Sequence, residues 1–163
     1  MKAQKYISEN GIVDLKKGDI VEGKVTNIRP FGAFVQLNDG PVGLLYIEDI
    51  SIARIKSPAE RLKVGQNINV VVKNIDTSSN RINFSYKEML GTWEENVENI
   101  QEGSIIPGII RETEKNKKGI FIELKPNLVG MAEYSEGFEY GEHINVYVKK
   151  IDKEKRKIKL VIK

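Results

Sequence analysis

The fold is decided by residues 18–46, which read GDIVEGKVTNIRPFGAFVQLNDGPVGLLY. A related pattern returns from residue 103 as GSIIPGIIRETEKNKKGIFIELKPNLVGMAEY. Later in each copy, VGQNINVVVKNID from Val64 matches YGEHINVYVKKID from Tyr140. Self-similarity of this kind indicates a repeat architecture. The sequence therefore predicts two copies of one folding unit.

Short β-strands are predicted within each copy. Val21, Val25 and Ile28 lie in a run rich in β-branched residues, and Asn38-Asp39-Gly40 is a strong hairpin turn. Each copy reads as five short strands with a helical or irregular link after the third, and Ser57-Pro58 has the spacing of a helix start. Five curled strands of this size predict an all-β fold of two small closed barrels of the OB type. The pattern alone leaves a small SH3-like barrel open.

The domain organisation follows from the repeat. We expect a first domain over residues 15–88, a linker over 89–101 and a second domain over 102–163. Within the linker, Thr92-Trp93-Glu94-Glu95 has the spacing of a capping box, so a short helix over 92–101 is predicted to pack Trp93 between the copies. Residues 1–14 form no complete repeat. We interpret them as an extension that is the tail of a missing domain, in a piece of a longer protein.

Composition excludes several classes of protein. The chain has 163 residues, a net charge of +3 and no cysteine, which excludes disulfides and thiolate metal sites. No apolar run approaches the roughly 18 residues of a membrane span, and no signal-peptide pattern occurs. We therefore expect a cytoplasmic monomer with no membrane contact.

Signatures of catalysis are missing from the sequence. It contains no glycine-rich phosphate loop, nucleophile elbow or HExxH motif. The single histidine, His143, falls in a predicted strand without visible partners. We expect no enzyme activity, no cofactor and no metal.

The stretch RPFGAFVQL, residues 29–37, raises a question about two aromatic side chains. Residues three apart on a regular strand face opposite sides, so Phe31 and Phe34 should not share a face. Pro30 and Gly32 indicate an irregular strand entry, which could turn both rings outward while Val35 faces the core. Burial of one or both rings in the core is left open by periodicity alone.

The first copy resembles the RNA-binding domains of the ribosomal protein S1 type, through GDIVEGKVTNI, FGAFV and NRINFSYK. The resemblance covers residues 15–87. It implies a five-stranded OB barrel that binds single-stranded RNA, with a binding face formed by Phe31, Phe34, Tyr46, Asp76 and Arg81. Tyr46 departs from the family, which usually has histidine there. Further along, LGTWEENVE and GIFIELKPNLVGMAEY resemble the C-terminal part of such proteins in clostridia-like Gram-positive bacteria.

Elementary physics supports the same face. Exposed aromatic rings stack on any base, and each stacked base contributes about 1–3 kcal/mol. Basic side chains around the rings would contact phosphates, and the candidates are Lys24, Arg29, Lys73 and Arg81. For Asp76 we favour a structural role in capping the hairpin turn that follows it. For Lys24 and Arg81 a solvated strand face is the alternative.

The second copy carries an altered version of this face. Lys118 stands at the position of Phe31 and Glu133 at that of Tyr46, while Phe121 holds the place of Phe34 and Lys157 that of Arg81. Phe121, Lys118 and Lys157 are therefore weaker candidates for RNA contact. Two basic hairpin tips, at residues 115–118 and 153–157, are usually solvated turns, although they could also touch phosphates or an acidic protein surface.

Two functions of different classes emerge from the sequence. The first is non-catalytic binding of single-stranded RNA by the first barrel, in translation as mRNA binding at the ribosome or in RNA handling. The alternative is a protein-interaction module that docks on a ribosomal or RNA-degradation partner. Exposure of Phe31, Phe34 and Tyr46 on one face distinguishes the two.

Overall fold

The chain folds into two compact units. The structure is a computed structural model that describes residues 15–38, 40–76, 78–79, 81–113 and 119–163. One unit comprises residues 15–51 and 55–90, and the other comprises residues 52–54 and 91–163. Each contains a five-stranded barrel that closes on itself. The predicted all-β fold of two OB-type barrels is confirmed.

The first barrel has the strand order β1-β2-β3-β5-β4. Its parallel contact between β3 and β5 closes the barrel, and the other neighbouring strands are antiparallel. The strands are β1 (Ile20–Arg29), β2 (Gly32–Leu37), β3 (Val42–Tyr46), β4 (Asn67–Asp76) and β5 (Arg81–Ser85).

Alternation along the strands fills the first core. Val35 and Leu37 of β2 are fully buried, as is Phe84 of β5. Gly43 makes room for Phe84, because a Cβ at residue 43 would lie 2.2 Å from the Phe84 ring. The core therefore uses a large ring opposite a glycine, which is a typical way of packing a narrow barrel.

The second barrel repeats this order as β6-β7-β8-β10-β9. Its core contains Ile110, Ile120, Ile122 and Val146, all fully buried. The strands are β6 (Ile105–Glu112), β7 (Gly119–Lys125), β8 (Leu128–Glu133), β9 (His143–Asp152) and β10 (Lys157–Ile162).

Short helical segments connect the strands. The start predicted at Ser57-Pro58 forms a single 3₁₀ turn, Pro58–Glu60, in which the Ser57 hydroxyl accepts a hydrogen bond from the Ala59 amide at 3.2 Å. Among the described residues, Ile47–Asp49 and Lys87–Leu90 also form 3₁₀ turns.

The linker helix α1 spans Trp93–Val97 and is shorter than the expected 92–101. Its capping box is confirmed, because the Thr92 hydroxyl accepts from the Glu95 amide and the Glu95 carboxylate accepts from the Thr92 amide. Val97 is buried in the second core, and Trp93 and Ile100 pack against it. The helix is therefore part of the second unit.

Some expectations fall outside the described residues. They concern residues 1–14, Asp39 of the first hairpin turn and the basic tip at 115–118. In the described part of the chain, no helix is long and apolar enough to cross a membrane.

Truncation of two phenylalanines in the first barrel should have very different effects on the free energy of unfolding. Phe84→Ala leaves a cavity in a closed core, so we expect it to lower the free energy of unfolding by about 3–5 kcal/mol. Phe31→Ala removes a ring that is 49% exposed and should change it by no more than about 0.5 kcal/mol. Urea denaturation followed by circular dichroism measures both, and equal losses would contradict this assignment of core and surface.

Candidate nucleic-acid interface

The alternation of side chains along β2 determines the direction of the Phe34 ring. Ala33, Val35 and Leu37 are fully buried, so the residues between them face outward. Phe34 is one of these and is partly exposed. Its outward direction is a consequence of the packing of its neighbours and needs no distortion of the strand.

Phe31 reaches the same side by a different route. It lies in the turn between β1 and β2, where alternation does not apply, and it is 49% exposed. Its ring centroid lies 6.2 Å from that of Phe34, edge to face. This contact places the two rings side by side on the surface.

Tyr46 completes the group from the neighbouring strand. It pairs in register with Gly32, two residues before Phe34, so it shares the outer face with Phe34. Its side chain is 37% exposed. Gly32 allows the close approach, because a Cβ there would lie 2.3 Å from the Leu45 carbonyl oxygen. We refer to Phe31, Phe34 and Tyr46 as the aromatic platform.

A β-bulge in β1 sets the basic residues beside the aromatic platform. The register shift between Val25 and Asn27 resets the alternation of the strand. Lys24 pairs with Gln36, and Arg29 pairs with Gly32. Because of the bulge, both basic residues lie on the outer face although they are an odd number of residues apart.

Arg81 approaches the platform from the other edge. Arg81 is the first residue of β5 and is exposed. Two residues later, Asn83 pairs with Leu44 of β3, and Leu44 pairs with Phe34 of β2. Within the described residues Lys24, Arg29 and Arg81 form no ion pair. Their charges are therefore available to an anion.

Lys73, a further candidate for a phosphate contact, forms an ion pair within the first barrel. Its ammonium group donates to both oxygens of the buried Asp49 carboxylate, at 3.0 and 2.9 Å. The hydrogen bond to Asp49 raises the pKa of Lys73, and the charges of Glu48 and Glu88 act in the same direction. Lys73 is engaged in neutralising a buried carboxylate.

Asp76 has the structural role that the sequence favoured. One of its carboxylate oxygens accepts from the Ser78 amide at 3.1 Å, the Ser78 hydroxyl at 2.6 Å and the Ser79 amide at 3.3 Å. These donors stabilise the charged form and lower the pKa of Asp76 to about 2. In β-sheet register Asp76 pairs with Arg81, so the turn it caps holds the start of β5 in place.

The second barrel keeps little of this arrangement. Phe121 is partly buried and pairs with the exposed Met131. Glu133 pairs with Gly119, which is the same register that Tyr46 and Gly32 have in the first barrel. Lys157 is exposed and pairs with Asp152. Lys118, the remaining candidate, lies outside the described residues.

Sequence reasoning missed a buried ion pair in the second barrel. The Arg111 guanidinium donates to Glu123 at 3.0 Å, and both side chains are buried. Arg111 also donates to the Tyr140 hydroxyl at 3.1 Å and lies over its ring. The matching residues of the first barrel are Thr26 and Gln36. An arginine and a glutamate replacing them together was the signal in the sequence.

The described residues contain no cluster of three or more histidine, cysteine, aspartate or glutamate side chains that could hold a metal ion. The described part of the candidate interface is a set of rings and cations on a strand surface, which is suited to binding.

Comparison with known proteins identifies the family of the first barrel. Residues 14–87 match the family model described as the S1 RNA binding domain. The first barrel belongs to the S1 RNA-binding domain family. The S1 domain of this chain therefore contains all three rings of the aromatic platform.

Relatives extend over more of the chain. The small ribosomal subunit protein bS1 of Staphylococcus saprophyticus is 33% identical over 161 residues, which cover 91% of this chain and 40% of that protein. The bS1 homolog of Bacillus cereus is 33% identical over 167 residues, covering 95% and 43%. The chain thus spans about two fifths of the length of these curated relatives. Among solved structures, GSP13 from Bacillus subtilis matches with a TM-score of 0.46 and 25% identity, over 55% of this chain and 75% of that one.

The titration of Asp76 tests the turn in the S1 domain. We expect a midpoint of about 2 for its carboxyl group by carbon-detected NMR, against an ordinary value of 3.8. The stability it contributes is therefore complete above the ordinary value and is lost as the pH falls through about 2. Ser78→Ala removes the hydroxyl donor and should move the midpoint upward. A wild-type midpoint near 3.8 would contradict the turn geometry.

Removal of Lys73 tests its pairing. Lys73→Ala removes the nearer cation from the buried Asp49 carboxylate and leaves the Lys87 ammonium, which lies 3.7 Å away. We expect the free energy of unfolding to fall by about 1–3 kcal/mol in urea. Lys24→Ala, which removes an exposed charge without an ion pair, serves as the control and should cost no more than about 0.5 kcal/mol. Equal losses of unfolding free energy in the two variants would show that the ion pair between Lys73 and Asp49 does not stabilise the fold.

Proposed function

We propose that the S1 domain of this chain binds single-stranded RNA on the aromatic platform and its flanking cations. The observation that carries the proposal is the joint exposure of Phe31, Phe34 and Tyr46 on one side of a closed barrel. None of these rings belongs to the buried core of the first barrel, which contains Val35, Leu37 and Phe84 among other residues.

The arrangement suits a flexible strand of RNA. Rings offer stacking surfaces to unpaired bases, while a duplex hides its bases within the stack. Arg29 lies beside Gly32 and the Tyr46 end of the platform, whereas Lys24 and Arg81 lie toward its other end. A single strand laid across the rings would therefore meet a cation at both ends of its path.

The cellular role that we propose is translation, with the chain binding mRNA at the ribosome, or more generally RNA handling. The curated relatives are named as proteins of the small ribosomal subunit. We assign the second barrel a lesser part in RNA binding. Glu133 places a carboxylate at the position of Tyr46, and Tyr140 is engaged with Arg111.

Truncation of the platform should weaken RNA binding while the fold is kept. In fluorescence anisotropy with a short labelled single-stranded RNA, Phe31→Ala and Phe34→Ala should each raise the Kd about 5- to 150-fold, because each removes one stacking surface. Phe121→Ala, at the position of Phe34 in the second barrel, is the matched control and should have a smaller effect.

Circular dichroism must show that the variants are folded. Unchanged affinity in a folded Phe31→Ala/Phe34→Ala variant would move the RNA site away from the S1 domain. No binding even by the unmodified chain would favour the alternative of a protein-interaction module.

Salt should weaken the complex to a modest extent. Three cations that neutralise phosphates give a slope of about −2 in a plot of log K against log salt, at about −0.7 for each contact to a single strand. Arg81→Ala should make this slope shallower by about 0.7. Lys17→Ala removes an exposed charge in the turn before β1 and should leave the slope unchanged. An affinity independent of salt would contradict the proposed phosphate contacts.

A further inference from the structure

A cross-strand row that contains the Phe34 ring runs through all five strands of the first barrel. Asn27 of β1 pairs with Phe34 of β2, and Phe34 pairs with Leu44 of β3. Leu44 pairs with Asn83 of β5, which pairs with Asn74 of β4. Side chains directly opposite each other on paired strands share a face. Because Phe34 faces outward, the three asparagines lie on the outer face with it. We refer to Asn27, Asn74 and Asn83 as the amide row.

The side chains of the amide row have hydrogen-bonding groups to offer a ligand. Asn74 is exposed, and Asn27 and Asn83 are partly exposed. Within the described residues, no protein group forms a hydrogen bond with these three side chains. Asn74 and Asn83 lie opposite each other on β4 and β5, yet no hydrogen bond joins their amides. Each amide therefore keeps its N–H donors and its carbonyl acceptor for a ligand.

Asparagine is an unfavourable residue at these places in the fold. It is depleted in strands, because its side chain competes with the backbone for hydrogen bonds. All three asparagines nevertheless lie within strands, namely β1, β4 and β5. None of them belongs to the buried core of the barrel. Three such residues in one row around a partly exposed ring indicate a role in binding, since folding does not require them.

The second barrel keeps the register of this row and replaces its amides. Glu112 pairs with Phe121, as Asn27 does with Phe34 in the first barrel. On the other side of Phe121 the row continues through Met131 to Lys159 and Lys150. A charged residue thus stands at each of the three asparagine positions. The amide row accompanies the aromatic platform and is absent from the described row of the second barrel, where the platform is altered.

Cations lie on both sides of the amide row along the strands. Arg29 follows Asn27 by two residues on β1, and Arg81 precedes Asn83 by two residues on β5. A strand of RNA whose phosphates meet both arginines therefore carries its middle base across the row, over Phe34. Asn27 and Asn83 are three strand spacings apart, which is about 14 Å along the sheet. A purine with a hydrogen bond at each edge fills a span of this size.

Adenine is the base that matches an amide on either side of the ring. An asparagine side chain presents a donor next to an acceptor and pairs with adenine through two hydrogen bonds. The 6-amino group of adenine is a donor between two ring-nitrogen acceptors, N1 on one edge and N7 on the other. Guanine has two acceptors on its N7 edge, and each pyrimidine has a donor beside an acceptor on one edge alone. An amide on either side of Phe34 therefore finds a matching pair of atoms on both edges in adenine alone.

We propose that Asn27 and Asn83 recognise an adenine stacked on Phe34, with Asn74 adding a contact beside Asn83. The inference rests on the RNA binding proposed above and gives the aromatic platform a preference among bases that stacking alone does not supply. Hydrogen bonds to base edges are a usual means of reading single-stranded RNA. The expected preference is at least about fivefold, the lower end of what one pair of asparagine and adenine provides.

Three RNAs distinguish base recognition from stacking. They are a run of seven uridines, the same run with one central adenosine, and the same run with central purine riboside, which stacks on a ring but lacks the 6-amino group. Fluorescence anisotropy at one salt concentration gives the three Kd values for the full chain. We expect the adenosine RNA to bind at least about fivefold more tightly than the purine riboside RNA.

Protein variants assign this preference to the amide row. In Asn27→Ala/Asn83→Ala the Kd values for the adenosine and purine riboside RNAs should become equal. Asn69→Ala is the matched control and should keep the full preference, because Asn69 is an exposed asparagine of β4 that pairs with Glu22, outside the amide row. Asn83→Lys introduces the residue that the second barrel carries at this place and should also lose the preference. The ratio of the two Kd values does not depend on the fraction of folded protein, because both RNAs titrate the same sample.

Two results would overturn the proposal and leave RNA binding by the aromatic platform in place. One is equal affinity of the unmodified chain for the adenosine and purine riboside RNAs. The other is a preference for adenosine that survives in Asn27→Ala/Asn83→Ala. If none of the three RNAs binds, the proposed function fails together with this inference, so the two kinds of failure are distinguishable.

Discussion

The interior of a closed five-stranded barrel accepts one side of each strand and no more. In β2 that side is occupied by Ala33, Val35 and Leu37, all fully buried. Phe34 must then face out, because a strand cannot turn two neighbouring side chains inward. The aromatic platform is thus a consequence of how the core is filled. Phe31 joins it from a turn, and Tyr46 joins it through its register with Gly32.

The same constraint leaves the outer surface free to differ between the two barrels. At the positions of Thr26 and Gln36, the second barrel carries a buried pair of Arg111 and Glu123. Such a pair is costly to desolvate and is retained only with good geometry, here with added contacts to Tyr140. The strand order persists, while the first barrel exposes aromatic rings and the second carries a polar cluster of Arg111, Glu123 and Tyr140.

Much of this architecture could be predicted from the sequence because its causes are local. The capping box of α1 depends on residues three apart, and the Asp76 turn on residues two and three apart. The five strands per copy follow from the alternation of apolar residues and from the turn residues. The internal repeat presents the same pattern twice, which supports the assignment.

Other features depend on contacts that no local pattern contains. The pair of Lys73 and Asp49 joins residues 24 apart, so a cation that looked free in the sequence is neutralised in the fold. The face on which Phe31 lies was undecided for a related reason. Pro30 and Gly32 indicate an irregular backbone, but the direction of the ring depends on its contact with Phe34.

The most direct test of the account maps bound RNA onto the chain by NMR. Aromatic and arginine side-chain resonances of the full chain are assigned and followed as a short unstructured RNA is added. We predict that the largest shifts fall on the rings of Phe31, Phe34 and Tyr46 and on the Arg81 guanidinium, with upfield ring shifts from stacked bases. Large shifts confined to the basic strands β9 and β10, with the three rings unaffected, would contradict the claim that stacking on the S1 domain holds the RNA.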